Sequence, residues 1–269
     1  MDHDLAWRLE ALYTAAWPPL RRETIGDWLL KFAPGVSRRA NSANPLRALV
    51  RDVDASIEAC ARRCREGGIP ALFRILSILE PAAGARLDRL GYRPEGETVN
   101  LFARIEEARA RRDEAVTIEA RPGDEWLKAM IAAQGHTGDR AETYGKIVRS
   151  IAIQAAFVSL RQDGELAALA YGALDDGVMC FESVVTMERY RGRGLATRAL
   201  SALIDWAATQ GAQAVCLQVE ATNERGRRLY RSLGLRQELY RYDYRREPDA
   251  PAYTPAWRGA GTGSILSRS

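Results

Sequence analysis

Between residues 177 and 235 the spacing of apolar positions changes period three times, and each change marks an element. Residues 177–187 read as a strand. Leu195, Ala199, Leu203 and Trp206, flanked by Ala196, Leu200, Ile204 and Ala207, recur at helical spacing until Gln210-Gly211 closes the helix. Val215, Leu217 and Val219 then alternate as a buried strand. Asn223 stands at an N-cap, Leu229-Tyr230 lies two turns further on, and Leu233-Gly234 ends a second helix. Near the N-terminus, Leu5, Leu9 and Leu12 predict an amphipathic helix, and residues 28–32 and 36–41 predict a strand pair.

A shift of the chain by 143 residues, without gaps, lays Gly68 on Gly211, Leu90-Gly91-Tyr92-Arg93 on Leu233-Gly234-Leu235-Arg236, and residues 73–76 on 216–219. That pattern predicts an internal repeat. Residues 106–115 are charged with no apolar face and divide a first unit, 1–105, from a second, 116–246. From 247 to 269 the chain is rich in Pro, Gly and Ser without periodicity, so an extended or disordered end is expected.

The strand-to-helix corner Tyr190-Arg191-Gly192-Arg193-Gly194-Leu195-Ala196 carries the first chemical signal. Glycines there clear side chains from a run of unpaired backbone N–H groups, and the helix behind adds its positive dipole end, so the corner suits a pyrophosphate. Such a glycine pair alone is often only a turn. A P-loop is excluded because no Gly-Lys-Ser/Thr closes it, and a dinucleotide fingerprint lacks its third glycine, where Thr197 stands.

Arg191, Gly194 and Ala196, followed by a strand and then Asn223 and Tyr230, resemble the GNAT superfamily of acetyl-CoA-dependent N-acetyltransferases, whose loop reads Gln/Arg-x-x-Gly-x-Gly/Ala. The resemblance covers residues 116–246 and implies an α/β (α+β) fold, two GNAT-like domains each with a mixed twisted sheet flanked by helices. It implies that Arg191, Gly192, Arg193, Gly194, Leu195, Ala196 and Thr197 cradle the phosphates of acetyl-CoA, that Val184, Val185 and Thr186 offer backbone groups to its pantetheine arm, and that Asn223 touches it. Tyr230 matches the family's usual general acid, with packing on the inner face of its helix as the plain alternative. Under the 143-residue shift Arg191, Gly194 and Ala196 fall on Ala48, Arg51 and Val53, and Asn223 and Tyr230 fall on Glu80 and Leu87. The first unit is therefore expected to be a degenerate copy that completes the acceptor cleft, extends the sheet across the junction, or mediates dimer contacts.

An amine acceptor, of a small molecule or a peptide, must shed a proton before it attacks a thioester. Two positions that carry a catalytic glutamate in some relatives hold Cys180 and Gln218. Glu182 is the first candidate base, with Glu220, His136 or a relayed water after it. The segment Arg38-Arg39-Ala40-Asn41-Ser42-Ala43-Asn44-Pro45 reads as a polar strand and turn that could instead face a polar acceptor. A non-catalytic acyl-CoA sensor is the alternative function.

Composition narrows these readings little. A length of 269 residues with 46% hydrophobic positions supports two cores. The net charge of +4 is spread arginine rather than a basic stripe, so no nucleic-acid partner is expected. Without an 18-residue apolar run or a basic-then-apolar leader, no membrane partner and a cytoplasmic location are expected. Four cysteines and two histidines at these spacings predict buried thiols and no metal site.

Overall fold

The structure is a computed structural model that describes residues 3–33, 35 and 37–252. The first half runs α1 (His3–Ala16), β1 (Arg21–Ile25), β2 (Trp28–Phe32), β3 (Ala43–Pro45), α2 (Val53–Glu66), β4 (Leu72–Leu76), α3 (Pro81–Arg89) and β5 (Arg93–Arg104). The second runs β6 (Val116–Glu119), α4 (Asp124–Ala133), α5 (Gly138–Arg149), β7 (Gln154–Gln162), β8 (Glu165–Asp175), β9 (Val178–Thr186), α6 (Leu195–Thr209), β10 (Ala214–Glu220), α7 (Glu224–Ser232) and β11 (Gln237–Arg246). These strands form one mixed sheet in the order β1-β2-β3-β4-β11-β5-β10-β9-β8-β7-β6, with helices on both faces.

The order shows an exchange at the centre. Each half ends in a long strand, and each of those strands crosses to the other half: β5 lies between β11 and β10, while β11 pairs with β4. Period-two alternation on β5 explains its seat. Val99, Leu101 and Ala103 enter the core under α6 with Val215, Leu217 and Val219, and Phe102 points to the other face, where α1 packs. The halves share one feature of topology: Phe73 and Cys216 each sit in a parallel strand pair, with Ala43 and Cys180 respectively.

α1 forms where the apolar spacing predicts it, but it packs mainly on strands of the second half. Leu9, Leu12 and Tyr13 share a cluster with Cys180, Cys216 and Tyr240, and the Tyr171 hydroxyl donates to the carbonyl of Ala16 at 2.9 Å. Glu10 forms a buried ion pair with Arg74 of β4. All four thiols are free and buried.

The strand expected at 36–41 is not formed. Arg38–Ala40 is a 3-10 turn, and the strands beside β2 are β1 and β3; Val36 lies outside the described residues. The cause is local competition for the backbone. The Ser37 hydroxyl caps the turn at the Ala40 N–H, and the Asn41 amide takes both the N–H and the carbonyl of Ala33, occupying the groups a neighbouring strand would use.

Residues 105–115 are charged but anchored. Ile105 and Ala108 pack on the second core, the Arg109 N–H donates to the Leu233 carbonyl, and the Arg111 N–H donates to that of Ser201. The chain passes so close that a Cβ on Gly234, whose φ is +100°, would lie 2.2 Å from the Glu107 oxygen. Of the tail expected from 247 onward, Glu247 is tied to Arg65 and to the Ala71 N–H; 253–269 lie outside the described residues.

The exchange makes the halves interdependent. A chain covering only 106–246 lacks β5, which leaves facing edges of β10 and β11 unpaired, and such edges aggregate. Expressed alone it is expected to be insoluble or to unfold without a cooperative transition, whereas co-expression with 1–105 restores soluble protein. A monomeric, cooperatively unfolding 106–246 would overturn this.

Candidate active site

The site begins where two parallel strands part. β9 pairs with β10 from Val178 to Cys180, opposite Ala214 to Cys216, and no further, although β10 continues to Glu220. On its other side β9 stays paired with β8, across a register shift between Leu169 and Tyr171. Ser183 supplies the bend. Its φ of +47° is left-handed, which costs a non-glycine residue about 1 kcal/mol, and its hydroxyl is held by the Tyr144 O–H at 2.8 Å. Backbone groups of Val184, Val185 and Thr186 on the side facing β10 are thereby left without a ladder partner.

Arg39, from the 3-10 turn of the first half, fills the apex of this opening. Its two terminal nitrogens each donate at 2.6 Å to a different oxygen of Glu182, one of them also reaches Gln218 Oε1 at 3.5 Å, and the guanidinium lies 5.6 Å from the Trp17 ring. A bidentate pair of this kind is the strong form of the contact. Burial works against the Arg39 charge, and the Glu182 carboxylate more than reverses it, holding the guanidinium above its ordinary pKa. Gln218 is oriented by its neighbours, since Oε1 also accepts from the Tyr242 hydroxyl at 3.1 Å.

Beyond β9 the chain reaches the glycine corner. Gly192 and Gly194 have φ of +82° and +73°, with open space where a Cβ would lie, so the left-handed backbone rather than crowding calls for glycine. The first intrahelical bond of α6 runs from the Arg198 N–H to the Gly194 carbonyl at 3.1 Å. The N–H groups of Leu195, Ala196 and Thr197 are thus free of helical acceptors, at the positive end of a 15-residue helix. Tyr190 braces the corner by donating to the Gln162 carbonyl at 3.1 Å, with Arg193 over its ring.

After β10, the Asn223 side chain caps α7 by accepting from the Gly226 N–H at 2.9 Å. That cap fixes the face on which Tyr230 sits, two turns on. Burial, with the Glu182 charge second, pushes the Tyr230 phenol up to about 12.

A cavity of about 1340 Å³ joins these parts. Its wall includes Val184 to Thr186, Arg191, Gly192, Gly194 to Thr197, Asn223 and Tyr230 at one end, and Arg38, Arg39, Tyr242 and Tyr244 at the other. Two residues singled out by the sequence are not in the wall: Arg193 stacks on Tyr190, and Glu182, only 5% exposed, lies behind Arg39. Glu220 and His136 both line the cavity. Glu220 accepts from Arg38 at 2.6 Å through one oxygen. His136 contacts Gln134 Oε1 through Nε2 at 3.1 Å, while its buried Nδ1 has no partner among the described residues. Because the Gln134 amide nitrogen donates elsewhere, to Met130 Sδ and the Tyr144 hydroxyl, Oε1 is the acceptor and Nε2 carries the proton.

Residues 7–244 match the model of the family described as probable histone acetyltransferase Rv0428c, C-terminal. The chain belongs to this family. It is a GNAT-type N-acetyltransferase. It is 26% identical to the uncharacterized N-acetyltransferase YobR of Bacillus subtilis (strain 168) over 231 residues, 84% of this chain and 93% of the relative. Among solved structures, the GCN5-related N-acetyltransferase of Kribbella flavida superposes with a TM-score of 0.70 at 17% identity, covering 91% of this chain and 96% of its own. A tandem GNAT protein from the clavulanic acid biosynthesis pathway gives 0.66 at 12%, covering 94% and 89%. Both share the fold of this acetyltransferase.

Gly192, Gly194, Asn223 and Tyr230, singled out in the sequence, line the cavity together with Trp17, Tyr242 and Tyr244, which were given no role there. The available signal was the Tyr240, Tyr242, Tyr244 alternation, which sets three rings on one face of β11. Burial, with Arg140 second, lowers the His136 pKa below its ordinary 6.5, so the ring is neutral at pH 7. In an NMR titration the imidazole resonance that disappears in His136→Gln is expected to turn over below pH 6.5; a midpoint above 6.5 would contradict this placement.

Proposed function

We propose that this GNAT acetyltransferase moves the acetyl group of acetyl-CoA to a primary amine of a small molecule or peptide by direct attack. The observation that carries the reading is the single cavity that runs from the glycine corner past Tyr230 to the arginines of the first half. Its corner fits a pyrophosphate, with three N–H groups without helical acceptors beside two left-handed glycines. The unpaired edge of β9 at Val184, Val185 and Thr186 offers N–H and carbonyl groups to an amide-bearing pantetheine arm, and an N–H near Val184 can donate to the developing oxyanion. Asn223, at the α7 cap, lines the same end.

Deprotonating an alkylammonium with a pKa near 10.4 costs about 4.6 kcal/mol at pH 7. Two residues of the cavity wall carry a group that can take that proton, directly or through water: Glu220 by its carboxylate, and His136 by Nδ1, which is buried and must be reached by water or acceptor. Glu182, first in the sequence reading, is enclosed by Arg39 at both oxygens and acts through it as a positioning residue. The raised phenol of Tyr230 stays protonated at neutral pH and serves as the acid for the departing thiolate. The enclosure of Glu182 is also what favours the second reading, a sensor that binds acyl-CoA without turnover.

Thiol release from acetyl-CoA with a panel of amines decides between them. Wild type is expected to turn over; Tyr230→Phe is expected to lose about 100-fold in kcat with acetyl-CoA binding unchanged. Gly194→Glu is expected to lose acetyl-CoA binding itself, since the new side chain meets both a φ of +73° and the phosphates. Acetyl-CoA binding in wild type with no thiol release from any amine would favour the sensor.

A further inference from the structure

The far end of the cavity holds two buried hydrogen-bond donors with nothing to bond. Gln218 Nε2 and the Tyr244 hydroxyl are both closed off from solvent and have no partner among the described residues, and both residues line the cavity. The Gln218 orientation is fixed, because Oε1 receives the Tyr242 hydroxyl and Arg39, which leaves the amide N–H groups free. Tyr244 is 2% exposed, and burial raises its phenol well above the ordinary value, so it remains a donor. A buried polar group left unpaired is costly, and two on residues of one cavity wall, both neighbours of Tyr242, mark a place where a ligand supplies the acceptor.

Charge decides which acceptor. Arg38 lies over the Tyr244 ring at 5.2 Å, shared by Glu95 and Glu220, and Arg39 reaches Gln218 while bonded to Glu182; together with Arg74 these guanidiniums still set a positive field at the Tyr244 hydroxyl. That field favours an anionic oxygen over a neutral carbonyl. Glu220, on the same strand as Gln218 and the same face, is paired with Arg38 through one oxygen and offers a counter-charge for an ammonium. Both poles of a zwitterion are matched within one wall.

We infer that the acceptor is a small amine bearing a carboxylate, held through that carboxylate by Gln218 and Tyr244. The inference rests on the acetyl-transfer reading of the same cavity. It makes specificity a joint property of the halves, because the arginines come from the first and the donors from the second.

The experiment uses the full chain and three-membered sets of probes that share a carbon skeleton: an amino carboxylate, its primary amide and the alkylamine. Thiol release from acetyl-CoA gives kcat/KM for each, and calorimetry with CoA present gives Kd. The carboxylate is expected to lead its amide and its alkylamine by about tenfold or more in at least one set. Tyr244→Phe, which removes an oxygen without a partner among the described residues, is expected to fold normally and to lose about tenfold for the carboxylate and clearly less for the alkylamine. Amides that match or exceed carboxylates would point to peptide N-termini and overturn the inference while acetyl transfer stands. Equal values across each set, or a Tyr244→Phe loss shared equally by all probes, would overturn it too. If no probe releases thiol, acetyl transfer fails, and the Kd values still decide: discrimination supports the carboxylate site and its absence removes it.

Discussion

The bidentate pair between Arg39 and Glu182 is the contact on which the rest of the site depends. β9 and β10 separate after three paired residues because Ser183 bends one of them, and a widening gap in a sheet exposes polar backbone with no partner. Arg39 closes that gap at its apex, bonding Glu182 on one strand and Gln218 on the other, and leaves the outer part open as the cavity. A buried carboxylate without such a partner would be strongly destabilising, so the glutamate and the arginine require each other. Since Arg39 belongs to the first half, that half supplies structure the second cannot provide.

The central strands bind the halves in the same way. β5 and β11 are each other's neighbours and each completes the opposite half, so the sheet has no seam at which the two units could part cleanly. Around that centre the halves share a parallel strand pair but not their chemistry. The first half keeps the parallel pair β3 and β4 but has Glu80 and Leu87 where Asn223 and Tyr230 stand, and it contributes its 3-10 turn to the second half's cavity instead. The first half thus serves the cavity of the second as a wall rather than as a second site.

What the sequence made legible was local. The helical period from Leu195 to Ala207, the alternation through Val219, the Asn223 cap and the glycines at 192 and 194 each depend on neighbours a few residues away, and each element formed as expected. The exchange of β5 and β11 could not be read, because alternation on β5 shows that it is a strand with one buried face and not which strands flank it. The turn at Arg38–Ala40 escaped because hydrogen bonds from Ser37 and Asn41 outweighed the strand pattern. Arg39 and Glu182 stand 143 residues apart, so the shift lays one on the other, but matching positions do not say that the two side chains meet.

A double-mutant cycle on that pair tests the account most directly, read as urea unfolding of wild type, Arg39→Met, Glu182→Met and the double variant. Arg39→Met leaves a carboxylate of 4% side-chain exposure unpaired and is expected to cost about 3 kcal/mol or more. Glu182→Met, which leaves the more exposed partner, is expected to cost less, and the double variant is expected to recover most of the larger loss. Additive losses, with the double variant as unstable as the two singles combined, would contradict the claim that this pair holds the halves and the site together.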